Sequence, residues 1–513
     1  MIGSLIKNRE NKSYFNRTAS IMMQCDKSLK SVVVYVTILA SYIGCVYMGD
    51  NDIITKEWRQ SIITQIIQAR ISKGLTQAQL AGLLKTHRSN ISRLESGTHN
   101  PSLDFLLRVA AALDMELDLK PYKKDSPVFK DNAYKLRLYD TTLITFTLDE
   151  RGIEGLVSEI IEIKKEKRKL FPLDLTLTGE GVVKWLENRI IPKNRAFVDE
   201  ILKSLNLSVG NTKGIIDVCK GLSLNDSYWI VPQGFNGAFA QYNLYENRFS
   251  EILSLVAYTG VWQSHGAFTT SPELTTNGML PKAWRLIEGD GIYLYKGGSS
   301  GAAKTGQEPY SEYYACQIAN AMGLNAVAYD LENWNGILAS KCRLFTDIDT
   351  SYIPIGRIVR TGGLKACLDY YTELGDDFAE NMRSMLVFDA VIYNADRHFG
   401  NFGILRDNHS GAIIAPAPLY DHGLSLFNYA MKDDIARLDE YAATRFPAYA
   451  NTTFESICSD VMGKAQAKQL RKLIGFKFKR HNSINWPEER LASIERHIQK
   501  RVRQLLGLER PTV

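Results

Sequence analysis

Asp396, Asn401 and Asp421 are the residues whose types and spacing best suit chemistry. Asn394-Ala395-Asp396-Arg397-His398-Phe399-Gly400-Asn401 is followed, after a short gap, by Leu419-Tyr420-Asp421. Magnesium takes hard oxygen ligands, and a loop carrying a carboxylate and, five positions on, an amide can aim the first at an attacking hydroxyl and the second at the ion. A later acid then binds the metal from the other side, an order that fits magnesium-dependent phosphoryl transfer. Taken alone, such a match is more often a solvated loop beside a capping acid. The flanks favour the chemistry: Met382 to Tyr393 reads as an apolar helix, Phe402 to Leu405 as a short strand, and Ala412 to Tyr420 as a second strand region ending at Asp421.

A nucleotide site needs a second half. Ile292 to Lys296 reads as a strand ending in a Lys, and a helix is expected from Tyr310 through Met322 with Glu312 near its start. Such a Lys contacts α- and β-phosphates while an acid from the next helix holds it in place. Glu308 competes with Glu312 for that role, and a surface Lys beside a dipole-stabilised helix-start Glu is the plainer alternative.

The segment Asn394 to Asn401, an Asn-x-Asp-Arg-His-x-x-Asn, with Tyr420-Asp421 after it, resembles the mark of the HipA-like serine/threonine kinases. Thr275-Thr276-Asn277-Gly278-Met279-Leu280-Pro281-Lys282 is similar to that family's Ser-x-x-Gly-x-x-x-Lys phosphate loop, with Thr and Leu where the family usually has Ser and Gln. The resemblance implies an α+β two-lobed kinase fold with a mainly helical C-terminal lobe, and ATP and Mg²⁺ as cofactors. It implies catalytic roles for Asp396, Asn401 and Asp421, with Asn401 and Asp421 holding the metal. It further implies ATP contacts from Lys296, Glu312, Gly278, Lys282 and the hinge residue Phe345, and autophosphorylation at Thr275. A turn cap is the plainer role for Thr275. Gly298 to Thr305 nearly matches a different phosphate loop, but Ala303 stands where Gly is required and Pro309 interrupts any helix begun at Lys304.

A second pattern lies between residues 61 and 100, where Arg70, Lys73, Lys85, Arg88 and Arg93 face one acid, Glu95. Apolar spacing from Ile62 to Ile71 stops near Gly74, Thr76 caps a short helix containing Leu80 and Ala81, and Arg88 to Glu95 forms a third helix before Gly97 and Pro101. Leu75-Thr76-Gln77 through Leu94-Glu95-Ser96-Gly97 resembles the Cro/CI-type helix-turn-helix family. The resemblance places Arg88, Ser89 and Arg93 at base edges of a double-stranded operator, with Asn90 among the DNA-binding residues and Thr76 and Gln77 at phosphates. A solvated basic face is the alternative for the two arginines.

The 513 residues carry a net charge of only +6, so a nucleic-acid partner must be read locally. Seven scattered cysteines with no C-x-x-C pair indicate reduced thiols rather than a disulfide framework or zinc site. The expected organisation is an all-α helix-turn-helix domain at 52–120, a linker at 121–127, an N-terminal subdomain at 128–260 without a chemical motif, a kinase N-lobe at 261–346 and a C-lobe at 347–513. Residues 1–51 form an apolar extension, near the lower limit for a membrane span, and Met48 is the expected start. DNA and ATP both point to a cytoplasmic protein without a membrane partner. Lys477 to His481 reads as a solvated basic face.

The expected whole is a DNA-binding, autoregulatory homodimer fused to a protein kinase. In resembling systems these are two proteins, a repressor and a toxin kinase acting on an aminoacyl-tRNA synthetase, and the fusion departs from that partnership. One alternative is a transcriptional regulator whose kinase fold only senses nucleotide or a partner. Another is metal-dependent hydrolysis using Asp396, His398, Asp421 and His422.

Overall fold

The computed structural model describes residues 62–63, 66–67, 69–71, 73–97, 101–115, 132–151, 155–205, 207–261, 271–300 and 306–507. The 1–51 extension, the 121–127 linker, and Ala303, Lys304 and Thr305 of the near-match loop lie outside them. The chain divides into two compact units at Pro121 and Tyr122.

In the first unit, helical residues between 62 and 71 precede α1 (Gln77–Leu83), α2 (Arg88–Glu95) and α3 (Leu103–Ala112). Thr76 begins α1 with a reciprocal cap, its hydroxyl accepting from the Gln79 N–H while the Gln79 side chain accepts from the Thr76 N–H. Leu80, Ala81, Ile91, Leu94 and Val109 are buried in one core, as their helical spacing predicts.

The second unit is a mixed α/β body with a helical C-terminal part. It opens with β1 (Ala133–Leu138), β2 (Thr141–Thr147), β5 (Ile160–Ile163) and β6 (Tyr228–Pro232), an antiparallel sheet in the order β5-β2-β1-β6; a small hairpin, β3 (Asp149–Arg151) with β4 (Gly155–Val157), stands apart. Between β5 and β6 run α4 (Gly179–Glu187), α5 (Val198–Ser204) and α6 (Thr212–Cys219), and α7 (Glu251–Thr259) follows.

A second antiparallel sheet, ordered β7-β8-β10-β9, is built from β7 (Lys282–Ile287), β8 (Gly291–Gly297), β9 (Tyr329–Trp334) and β10 (Ile337–Arg343). Side chains alternate along β8. Tyr295 packs with Tyr258, Ala283 and Ala339, whereas Leu294 and Lys296 line a cleft on the opposite face. The register sets Lys282 opposite Lys296, so both ammonium groups face the same cleft. The helix α8 (Glu308–Met322) carries Tyr314, Ala315, Ile318, Ala319 and Met322 into the largest core, and Gly323 ends it with a φ of 81°.

The part after residue 347 is helical as expected but also holds a three-stranded sheet, β11 (Thr350–Pro354), β12 (Gly403–Asp407) and β13 (Ile413–Pro416). The short helix α9 (Ile355–Ile358) leads to α10 (Gly363–Leu374) and α11 (Asp376–Ile392), followed later by α12 (Lys432–Ala436), α13 (Leu438–Ala442), α14 (Phe454–Val461), α15 (Lys464–Arg471) and α16 (Glu488–Leu505). On α11, Met382, Met385, Leu386, Val387, Phe388, Ala390, Val391 and Ile392 are all buried, which is why that segment is apolar all round. Among the described residues no helix is long and apolar enough to cross a membrane. The basic run Lys477 to His481 is paired locally, Lys477 and Arg480 both meeting Glu495 of α16.

Candidate active site and helix-turn-helix face

Between the second sheet and the helical part lies a cleft of about 610 Å³, lined by Thr275, Gly278, Lys282, Lys296, Phe345, Asn401 and Asp421 among others. Strands of the second sheet and β11, together with α9 and the loops after α11 and β13, converge on it. The cleft face of β8 presents Lys296, whose ammonium donates to Glu312 of α8 at 3.0 Å and also bonds Asp421. Glu312 is fully buried, and its other oxygen accepts the backbone N–H of His422 at 2.7 Å. This one carboxylate therefore holds the lysine and the segment carrying Asp421 together. Its competitor Glu308 accepts instead from the Ser299 N–H at 3.0 Å.

Asp421 adopts a left-handed backbone (φ 57°), and its N–H donates to the Tyr329 hydroxyl at 3.1 Å. A parallel bridge between Ala326 and Leu419 brings the segment there. Burial alone would raise the Asp421 carboxyl, but the Lys296 ammonium overrides it and holds the group well below the usual carboxylate range. Lys296 is correspondingly raised, its two carboxylates outweighing burial. Burial keeps Glu312 above the ordinary range.

The loop after α11 hangs on a buried pair. Arg397 is fully buried and grips Asp389 with two bonds of 3.0 Å; it also donates to the carbonyls of Asn401 at 3.1 Å and Tyr420 at 2.6 Å, and contacts His422 Nδ1 at 3.0 Å. Asn394 donates to Asp389 at 3.0 Å and accepts the Asp396 N–H at 3.2 Å. One guanidinium thus fixes Asn401 and the loop carrying Asp421, five residues beyond the end of β13 at Pro416 rather than at a strand end, relative to each other. Neither Arg397 nor Asp389 was singled out as a site residue. The signal was present: an Asp inside the apolar run of α11 must be paired, and an Arg lies eight residues on.

Asn401 spends its Nδ2 on the Asp396 carbonyl at 3.1 Å, which keeps the amide oxygen, the harder donor, for other partners. Asp396 is half-buried beside the cleft rather than lining it; burial raises its carboxyl above the ordinary value, opposed chiefly by His398. An ionised Asp421 and an Asn401 amide oxygen are hard oxygen donors of the kind magnesium takes. His422 does not fit the hydrolytic alternative. It is fully buried, burial and Arg397 push its pKa well below normal, and its Nδ1 faces a guanidinium that can only donate.

The phosphate-loop residues sit along the other wall. Gly278 has a φ of 92°, and a Cβ there would lie 2.1 Å from the Lys282 ammonium, which donates to the Asn277 carbonyl at 2.8 Å. Burial, then the facing Lys296, lowers Lys282 to about 7. Thr275 is 4% exposed and its hydroxyl donates to the Pro272 carbonyl at 3.3 Å, so in this conformation it is turned into the protein. A fully buried Arg195–Glu273 pair pins the loop from beneath, Arg195 also donating to the Lys282 carbonyl at 2.9 Å and Glu273 accepting the Trp284 N–H at 2.7 Å. Phe345 packs against Tyr352 and Tyr420.

On the first unit, Arg88, Ser89 and Arg93 are exposed along α2, and Thr76 is exposed at the start of α1. Arg93 leans on the Ser89 carbonyl and Asn90, and Asn90 donates to Thr86 at 2.8 Å. Gln77 is half-buried and donates to Glu95 at 2.9 Å. The basic excess is smaller than the sequence count: Arg70 forms a two-pronged bond to Glu95 at 2.6 and 2.9 Å, and Lys73 pairs with Asp114. Tertiary pairing consumed both charges.

Fold and site together define a chain with a helix-turn-helix unit ahead of a mixed α/β body whose cleft gathers two lysines, a half-buried acid and an amide, with a buried acid behind them. Residues 66–120 match the helix-turn-helix family. Over 75 residues the chain is 31% identical to an uncharacterized HTH-type transcriptional regulator of Haemophilus influenzae, a span covering 15% of this chain and 76% of that protein. Through this unit the chain belongs to the helix-turn-helix family. The structure is similar to a chain of the Shewanella oneidensis MR-1 toxin–antitoxin system HipA, HipB and operator DNA complex, at 13% identity and a TM-score of 0.44, over 73% of this chain and 97% of that one. It is also similar to the Helicobacter pylori proinflammatory kinase CtkA, at 17% identity and a TM-score of 0.36, over 44% and 92% of the two chains.

Proposed function

We propose that the second unit is an ATP-dependent protein serine/threonine kinase and that the first unit binds an operator in double-stranded DNA, coupling phosphoryl transfer to control of transcription in one chain. The observation that carries the kinase reading is Lys296, held by Glu312 and bonded to Asp421 in the cleft, with the backbone of Asn401 fixed by Arg397. Lys296 and Lys282 would meet the phosphates. Asn401 and Asp421 would hold magnesium, whose charge neutralises that developing on the transferred group. Asp396 would orient the acceptor hydroxyl and take its proton, a role for which a raised carboxyl is suited. On the first unit, Arg88 and Arg93 on the exposed face of α2 carry the DNA reading, since Arg is best fitted for bidentate contact with guanine.

The test is incubation of purified protein with labelled ATP, magnesium and a proteome. Label should pass to serine or threonine of a protein acceptor, and Asp421→Asn should retain the fold while transfer and magnesium-dependent nucleotide binding are lost. Undiminished transfer by Asp421→Asn removes the metal-ligand assignment. Nucleotide binding without transfer by the unaltered protein leaves a nucleotide sensor in place of a kinase.

A further inference from the structure

A side arm of the cleft has no role in the site described so far. It is a groove of about 290 Å³ between α4 and α9, lined by Asp174, Lys184, Arg357 and Arg360 among others, and Asn188, Gly356, Arg357 and Arg360 line both it and the cleft. Three of its side chains are cationic and one is anionic. The acid is largely engaged: Asp174 is half-buried, accepts the Trp185 indole N–H at 2.9 Å and lies 3.5 Å from Arg357. The arginines are held chiefly by neutral groups. Arg360 donates to the Asp174 carbonyl at 2.8 Å and to the Thr176 hydroxyl at 3.3 Å, and Arg357 donates to the Asn188 carbonyl at 3.0 Å. Carbonyls fix a guanidinium without neutralising it, so Arg360 is pre-oriented with no carboxylate of its own, while Arg357 shares Asp174. Among the described residues neither Arg360 nor the exposed Lys184 meets a carboxylate.

The groove is tied to the loop bearing Asp396 and Asn401. Gly356 donates to the Phe399 carbonyl at 2.8 Å, and a Cβ on Gly356 would come within 3.0 Å of Phe399, a close approach that glycine permits. Arg357 is the next residue. An anion seated on Arg357 and Arg360 would lie beside the candidate catalytic loop.

Resting on the kinase reading above, we propose that this groove is an acceptor-side subsite for an acidic segment of the protein substrate, so that the enzyme selects serine or threonine flanked by Asp or Glu. Carboxylates match the arginine forks in geometry and charge. The small volume and the buried Trp185, which offers no exposed stacking face, favour a short acidic peptide over single-stranded nucleic acid, which needs a longer basic track with open aromatic platforms.

The experiment uses the full chain and three fluorescent peptides with one central serine, flanked by glutamates, alanines or lysines, with binding followed by anisotropy and transfer followed separately. The glutamate peptide should bind roughly tenfold more tightly than the alanine peptide, with the advantage shrinking as salt rises. The double charge reversal Lys184→Glu with Arg360→Glu, two exposed positions, should abolish that preference and favour the lysine peptide. Equal binding of the three peptides by the unaltered chain overturns the proposal, as does a preference that survives the reversal. It is also overturned if the reversal weakens nucleotide binding instead, or if a single-stranded RNA binds more tightly than the glutamate peptide and is lost in the same variant. Because anisotropy needs no turnover, absence of transfer defeats the kinase reading while the peptide comparison still decides the groove.

Discussion

At the scale of single residues, the two lysines facing each other across β7 and β8 do different electrostatic work. Lys296 has two carboxylates and stays charged, whereas Lys282, buried with a like charge opposite, is brought down to about 7. Its ammonium form is the one that attracts phosphate. Affinity for an ATP analogue should therefore rise as pH falls through about 7 and level off below it, and Lys282→Met should flatten the profile. Calorimetric titration across that range checks this, and an unchanged profile in Lys282→Met assigns the proton elsewhere. Stability responds in the opposite sense. An unfolded lysine takes up its proton near about 10.4 and the folded one only near 7, so this group costs stability progressively as pH falls between those values and no further below them. The spacing of Asp396, Asn401 and Asp421 was legible because a loop motif is local in sequence. The depressed Lys282 was not, since it follows from a strand register and from burial.

Among the elements, α11 and its following loop best illustrate what sequence leaves hidden. Periodicity marked the helix, but Asp389 read as one polar residue in an apolar run, and only the fold sets Arg397 against it. Arg397→Met should cost about 3–5 kcal/mol by stranding a buried carboxylate. It should also abolish activity at temperatures where the protein remains folded, because the Asn401 and Tyr420 carbonyls lose their common donor. Chemical denaturation with a parallel transfer assay separates the two effects; wild-type stability in the variant would refute the keystone role. The pairing of the sheet β5-β2-β1-β6 was not legible, since β1 pairs with β6 across some ninety intervening residues and no local signal sets Leu136 opposite Ile230. On the first unit, α1 to α3 were legible from caps and spacing, whereas the Arg70–Glu95 clamp was not. Removing Arg70 and Lys73 from the basic face concentrates recognition on α2. Arg88→Ala should relax base preference at one operator position at a cost of about 1–3 kcal/mol, measured by binding to a library of operator variants. Equal weakening on every sequence would make Arg88 a phosphate contact.

For the molecule as a whole, two compact units with separate cores imply two thermal events. The helix-turn-helix core, centred on Leu80, Ile91, Leu94 and Val109, is small, and domains of that size are marginally stable because they bury a smaller share of their surface. The larger core, spanning α8, α11, α14 and α16, should unfold in its own transition. Ligands that bind only native protein stabilise the unit they bind, by about 2.7 kcal/mol at a hundredfold excess over Kd. Magnesium and an ATP analogue should therefore raise the transition of the larger unit alone, and operator DNA that of the smaller. Asp421→Asn should remove the first shift and keep the second, while Arg88→Ala should diminish the second and keep the first. Differential scanning calorimetry of the full chain decides it: a single transition that nucleotide and DNA each displace in full would mean that the two cores unfold as one cooperative body.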